Sequence, residues 1–405
     1  MKLKYIILTI GLIVLAHLII LFVCFYQPAD GKTSIVPEKL ESSKPAVKND
    51  SSAAVQPAQS AQSAQSAQSA QSANPAPGAA AVQPVSESRV KQYPPFNFQT
   101  AWKGVIPDLP ASAGTRAGIL VDADTGNVLW NKLAVSPVPI ASMTKIMTLL
   151  LACEDVQSGR NGISLESPVK VSRAAMKIGG SQVWLDAKET FPLEELLKAV
   201  AIKSANDAAY LVAEFLGQGD VYGFIGRMNR RARELGMKHT RFHNPHGLPG
   251  KTSADDNVSS PADMALLAEY CLNHEKLMQW ASMPKADFRG GKTELLNHNN
   301  LLPGRKFPAP GVDGLKTGFI NRSGYCVTIT CIRDGKRMIA VVTGFDRAKN
   351  RDLFTRDLLN WGYARRDNPT EANIRSAKFK PKAKAVPRKT RKPAPKKKAV
   401  PKKRK

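Results

Sequence analysis

Strands near both ends of the folding stretch, with helices between them, predict an α+β fold. The expected architecture is one antiparallel sheet flanked by helices, with a helical subdomain inserted between the strands. Three observations carry this. Ala117-Gly-Ile-Leu-Val-Asp-Ala, a turn at Asp124-Thr-Gly-Asn127 and then Val128-Leu-Trp read as a β-hairpin. Tyr325-Cys-Val-Thr-Ile-Thr-Cys-Ile, Asp334-Gly335 and Arg337-Met-Ile-Ala-Val-Val read as a second one. Between the two, apolar residues recur at helical spacing with start signals.

The 405-residue chain falls into four parts. Met1-Lys-Leu-Lys is a short basic start, and Tyr5 to Tyr26 carries no charged residue. That length is enough to cross a bilayer and long for a cleavable signal. Residues 1–26 are therefore expected to be an uncleaved signal anchor, a single N-terminal transmembrane segment with Lys2 and Lys4 in the cytoplasm and the rest of the chain outside it. Residues 27–95 are rich in Ser, Ala, Gln and Pro and hold five Gln-Ser-Ala repeats ending at Ala73. Such a stretch cannot bury enough apolar surface to fold and is expected to be a disordered linker. As a tether of about 70 residues it spans on the order of 45–50 Å. Residues 96–366 form the folding domain, large enough for a substantial core. Residues 367–405 are Lys, Pro and Ala repeats; positions 377–405 hold fifteen Lys or Arg and no acid, more than half of the formal charge of +26. This tail is expected to be a disordered polycation. The five cysteines include no C-x-x-C, and Cys326 and Cys331 lie at odd spacing on one strand, so they point to opposite faces. Neither a disulfide framework nor a cysteine metal site is expected.

Within the folding domain the elements follow in order. Pro137 and Pro139 favour extended backbone. The run Ala141-Ser-Met-Thr-Lys-Ile-Met-Thr-Leu-Leu-Leu-Ala152 then reads as a buried helix. Residues 193–203 and 205–217 read as two helices broken around Ser204, and 222–235 as a basic helix. Pro261 to Cys271 is a helix that Ser260 is placed to cap. Leu353, Phe354, Leu358, Leu359 and Trp361 mark a terminal amphipathic helix.

Three short stretches carry chemistry. Ser142 and Lys145 are three apart, so on a helix their side chains meet. A serine hydroxyl becomes a nucleophile when a base takes its proton, and burial and neighbouring charge fit a lysine for that role. The first helical turn offers free N–H groups to an oxyanion. Ser204-Ala-Asn206 sits at the break between two helices. There a hydroxyl can pass a proton to a leaving amine, and an amide can hold Lys145 or a substrate amide. Lys316-Thr-Gly318 is expected at the start of an edge strand. Its charge and hydroxyl suit a carboxylate, and its glycine lets a substrate backbone lie close.

S-x-x-K, S-x-N and K-T-G in that order, about 60 and 110 residues apart, form the motif set of the penicillin-recognising serine enzymes. The chain resembles the low-molecular-mass penicillin-binding proteins, the serine D-alanyl-D-alanine carboxypeptidases, over roughly residues 102–365. Lys203-Ser-Ala-Asn-Asp-Ala-Ala, Asn244-Pro-His-Gly-Leu, Ser260-Pro-Ala-Asp-Met-Ala and Val312-Asp-Gly-Leu-Lys-Thr-Gly-Phe also look like that family. The resemblance implies a penicillin-binding protein/β-lactamase-like transpeptidase fold. It implies Ser142 as the acylated nucleophile, Lys145 as its base, and Ser204 and Asn206 in the proton relay. Lys316, Thr317 and Gly318 would bind the terminal carboxylate and substrate backbone. The oxyanion hole would be the N–H groups of Ser142 and Phe319. The implied reaction removes the terminal D-alanine of a peptidoglycan pentapeptide, and β-lactams would acylate Ser142 as substrate mimics. Neither a metal nor a cofactor is expected. Three features depart from the family's best-known members: Phe319 stands in place of a His, the usual extra β-domain is not expected, and the expected anchor is N-terminal.

Other readings compete. D,D-endopeptidase cleavage of peptidoglycan cross-links uses the same chemistry. His239-x-x-x-His243-x-x-His246 invites a zinc reading but lacks the Glu of H-E-x-x-H and lies beside Pro245 and Gly247. Glu269-Tyr-Cys-Leu-Asn273 matches the E-x-x-L-N pattern of class A β-lactamases, yet it falls inside a helix. In a different class altogether, the tail would bind a polyanion. With the chain outside the cytoplasm, nucleic acid is not the expected partner, and anionic wall polymers or lipid headgroups are.

Overall fold

The computed structural model describes residues 91–367. The expected anchor, nearly all of the linker and the basic tail lie outside the described residues. Among the described residues, no helix is long and apolar enough to cross a membrane.

Both hairpins join one six-stranded sheet. Its strands are β1 (Trp102–Lys103), β2 (Gly118–Asp122), β3 (Val128–Lys132), β4 (Val312–Ile320), β5 (Gly324–Arg333) and β6 (Lys336–Phe345), in the spatial order β1-β3-β2-β6-β5-β4. All neighbours are antiparallel except the two-residue pairing of β1 with β3. Alternate residues face opposite sides of a strand, so each face builds its own core. Ile119, Val121, Ile339 and Val341 face the helical region. Leu120, Val327, Ile329, Met338 and Ala340 face the last helix, where Trp130 meets Phe354 edge-on at 5.7 Å. Cys326 and Cys331 are free and fall in different cores, as their odd spacing requires.

The helical region is built from α1 (Lys145–Gln157), α2 (Leu193–Lys198), α3 (Asn206–Leu216), α4 (Val221–Glu234), α5 (Pro261–Cys271) and α6 (Glu275–Ser282); α7 (Ala348–Tyr363) covers the other face of the sheet. Helix α1 has an apolar residue at almost every position and is buried from Lys145 to Cys153. That fits a helix enclosed on all sides, by α3, α4 and α5 among others. Helix α5 starts where the sequence placed it: Ser260 accepts a hydrogen bond from the Asp263 N–H at 3.1 Å, with Pro261 in the first turn.

The stretch read as a helix over 193–203 is helical throughout and breaks at Ser204 as expected, but it is not uniformly α. After Lys198 the chain widens into a π turn, Ala199–Lys203, and ends with Ser204 in the left-handed region at φ 62°. A π turn inserts a residue without leaving the helix axis, and such turns gather at functional sites. The folded unit also begins before residue 96. Tyr93, Phe96 and Phe98 pack against the helix-side core, and Asn97 bridges to Gly126 and Val128 through the backbone at 2.9 Å each. At the other end, Arg366 forms a buried pair with Asp122 at 2.7 Å.

Candidate active site

Ser142 sits in a single 3-10 turn, Ala141–Thr144, that feeds into α1. Two close approaches fix this turn. Gly247 lies against it with φ 83°, and a Cβ there would overlap the Ala141 carbonyl. Gly318 on β4 lies against it from the other side, where a Cβ would be 2.8 Å from the Ile140 oxygen. The loop carrying Gly247 is itself tied down. Asn257 donates to Thr144 Oγ1 and to the Asn244 carbonyl, each at 2.8 Å, and Thr148 donates to the Pro245 carbonyl at 2.7 Å.

Lys145 is fully buried, and its Nζ meets three oxygens: Ser142 Oγ at 3.0 Å, Asn206 Oδ1 at 2.6 Å and the His246 carbonyl. Asn206 is held the right way round, because its Nδ2 donates to the Gly179 carbonyl at 2.8 Å and so turns Oδ1 toward the lysine. A neutral amine has two N–H groups and one lone pair. The two carbonyl-type oxygens take the N–H groups, which aims the lone pair at the Ser142 hydroxyl. Burial, reinforced by the Lys316 charge, holds the Lys145 ammonium well below the usual lysine range, with Asp207 opposing.

Lys316 is buried on β4, the edge strand of the sheet, and lies in mid-strand rather than at its start. Burial and the Arg351 guanidinium bring it down to about 7. Asp207, next to Asn206, accepts from the Val183, Leu185 and Ala208 N–H groups and so fastens the 179–189 loop to the head of α3. That loop supplies Gly180 and Ser181 to the site.

These parts enclose a cleft of ≈ 480 Å³. Ser142, Ser204, Asn206, Thr317, Gly318 and Phe319 line it. Lys145 and Lys316 stand buried behind that wall. All eight residues singled out in the sequence therefore come to one place. Phe319 is half exposed and stacks on Tyr325 at 4.2 Å. Sequence reasoning missed Arg351 and His298, which also line the cleft. Neither lies in a motif, and only the fold brings them in. Burial and the surrounding cations hold His298 down at about 4.

The competing motifs fall elsewhere. Glu269 is buried in α5 and does not line the cleft. His246 contributes its carbonyl to Lys145, while its ring Nδ1 accepts from the Leu248 N–H at 3.2 Å and burial pushes the ring to about 3. Among the described residues there is no group of three His, Cys, Asp or Glu side chains fit to hold a metal.

The sequence profile of the D-alanyl-D-alanine carboxypeptidases matches residues 106–347, from just after the first strand to the residue before the last helix. The chain belongs to this family. It is 36% identical over 277 residues to the D-alanyl-D-alanine carboxypeptidase DacF of Bacillus subtilis, covering 66% of this chain and 68% of that one. To the carboxypeptidase DacA of Escherichia coli K12 it is 28% identical over 265 residues, covering 64% of this chain and 63% of that one, a little under two thirds of its length. Among solved structures, penicillin-binding protein D2 of Listeria monocytogenes in its ampicillin-bound form is similar at a TM-score of 0.55 and 30% identity, over 62% of this chain and 97% of that one. This member of the family thus shares the fold with a β-lactam-binding relative.

Proposed function

We propose that this protein is a serine D-alanyl-D-alanine carboxypeptidase acting on peptidoglycan stem peptides, and that β-lactams acylate it. The observation that carries this is the Lys145 environment, with two N–H groups taken by Asn206 and His246 and the third direction facing Ser142 Oγ. In the first half-reaction Ser142 Oγ attacks the carbonyl of the D-Ala–D-Ala bond and its proton passes to Lys145. The oxyanion is received by the N–H groups of Ser142 and Phe319, a contribution on the order of 3–4 kcal/mol per donor. As the C–N bond breaks, the proton reaches the departing amine through the Ser204 hydroxyl, and D-alanine leaves. Its carboxylate is held by Lys316 and Thr317. Water then attacks the ester on Ser142 and regenerates the hydroxyl. A β-lactam follows the same first step, with ring opening in place of departure.

Incubation with a fluorescent penicillin tests this. The purified protein is expected to become labelled at Ser142 and to release D-alanine from a diacetyl-L-Lys-D-Ala-D-Ala peptide, and Ser142→Ala is expected to do neither. Labelling that persists in Ser142→Ala would sink the assignment.

The chain's location belongs to the same proposal. The apolar run Tyr5–Tyr26 supports an anchor that keeps the catalytic domain outside the cytoplasm, and the tail's fifteen cations support binding to anionic wall polymer or lipid. Cleavage of the domain by protease added to cells whose outer barriers have been opened is expected, and full protection would rule out this orientation. Truncation after residue 367 is expected to weaken retention on membranes and wall in a salt-dependent way; unchanged retention would remove the tail's role.

A further inference from the structure

The cleft does not stop at Thr317 and Gly318. Its lining continues over the outer edge of β4 to the loop 297–311 and the first turn of α7, where Arg305, Lys306 and Arg351 are its charged residues; no Asp or Glu lines it. Arg351 is already satisfied. It is buried, pairs with Asp352 at 2.6 Å and donates to the Cys326 carbonyl at 3.2 Å. Asn300 completes the cluster by donating to the other oxygen of Asp352 at 2.9 Å.

Arg305 and Lys306 have no such partner. Neither makes an ion pair among the described residues, and the Arg305 Nε is shut off from solvent without any hydrogen-bond acceptor. A buried donor left unmade is costly. A guanidinium beside an ammonium, facing a cleft free of carboxylates, suits an anion that arrives with the ligand.

The loop's position says which part of the ligand brings it. Asn299 Nδ2 reaches the Gly314 carbonyl at 3.4 Å, and the Phe307 N–H bonds the Asn300 carbonyl at 2.9 Å. Asn300 ties this loop to the start of α7, so the Arg305–Lys306 pair lines the cleft together with Arg351, whose charge acts on Lys316. On the proposed function, on which this inference rests, Lys316 and Thr317 hold the carboxylate of the departing residue. The acyl chain leads the other way, toward Phe319.

We propose that Arg305 and Lys306 form a second anion subsite on the leaving-group side of the cleft. It takes a second carboxylate where the released residue carries one, so a dicarboxylic residue leaves faster than its uncharged amide counterpart, with D-alanine still released. The reaction is unchanged: the same C–N bond breaks, and the same proton goes to the departing amine.

The test uses the full-length protein and three peptides with one acyl group, diacetyl-L-Lys-D-Ala, followed by D-Ala, D-Glu or D-Gln. D-Glu and D-Gln are alike in size and differ in charge. The wild-type protein is expected to favour D-Glu over D-Gln by about tenfold in kcat/KM, the size of a charge-assisted contact, and 1 M salt is expected to collapse that ratio. In the double variant Arg305→Gln, Lys306→Gln the ratio is expected to fall to near one. The preference is a ratio within one protein, so a general loss of activity cancels from it. Hydrolysis of the D-Ala peptide with no preference for D-Glu in the wild type would overturn the subsite and leave the carboxypeptidase reading standing. A preference that survives the double substitution would also overturn it. Hydrolysis of none of the three peptides would overturn both.

Discussion

Lys145 has one lone pair to offer when neutral, and its neighbours leave it one direction. Asn206 does the orienting, since its amide is pinned by Gly179 on one side and accepts from Nζ on the other. Asn206→Ala frees one N–H to turn toward the serine, where it competes with the lone pair. We expect the rate of acylation by a fluorescent penicillin to fall by roughly 10²-fold, within the range for a positioned base, with stability little changed. A loss under threefold would show that the His246 carbonyl alone suffices. The pH dependence has two signs at this scale. In the proposed mechanism Lys145 is a base and works neutral, so acylation is expected to rise with pH through its lowered pKa. In the proposed mechanism Lys316 binds a carboxylate as the ammonium, and burial and the Arg351 charge bring its pKa down to about 7. Above about pH 7 the KM for a D-Ala-D-Ala peptide is therefore expected to rise. A KM flat from pH 6 to 9 would mean that bound carboxylate keeps Lys316 charged throughout.

The elements that hold these residues are positioned by what lies close rather than by bulk packing. The 3-10 turn under Ser142 is clasped between Gly247 and Gly318, at distances that no side chain fits. Gly247→Ala has no room for its methyl group and pushes the Ala141–Ser142 peptide off its place. A displacement near 1 Å at a reacting atom costs on the order of 10²-fold. We expect that loss in acylation, with near-normal circular dichroism. Activity within threefold of wild type would mean that the turn yields without cost. Much of this level was readable beforehand. The odd spacing of Cys326 and Cys331 put them on opposite faces of one strand, Ser260-Pro261 marked a helix start, and the spacing of Ser142 and Lys145 brought them into contact. The π turn before Ser204 was not readable, because Ala199-Val-Ala-Ile-Lys203 has an ordinary helical composition. Arg351, His298, Arg305 and Lys306 were equally hidden. Their part in the cleft follows from β4 being an edge, a property of the sheet's strand order and not of any local pattern.

At the scale of the whole molecule, a buried carboxyl away from the cleft bears on stability. Glu269 is enclosed in α5, its Oε1 has no partner, and burial raises its carboxyl to about 8. The folded protein keeps this proton up to about pH 8, whereas the unfolded chain releases it near 4.5. Its contribution to stability is thus fully present below about 4.5 and is lost as pH rises through 8. Glu269→Gln cannot titrate. We expect the wild-type Tm to fall between pH 5 and 9, and the fall to be smaller in the variant, which gains on the order of 1–3 kcal/mol at the alkaline end. Parallel Tm curves for the two proteins would remove Glu269 from the pH dependence.

The two ends of the folded domain meet at one hairpin turn. Lys91 approaches Asp124 at 3.6 Å, and Arg366 reaches the same carboxylate at 3.3 Å while gripping Asp122. Whatever the chain is fastened to beyond residue 91, and whatever the segment beyond residue 367 holds, pulls on the same corner. Two separated moorings would fix the domain's orientation, whereas a single pivot leaves it free to swivel. A force applied through either flank would therefore load the Asp122–Asp124 turn and not the walls of the cleft.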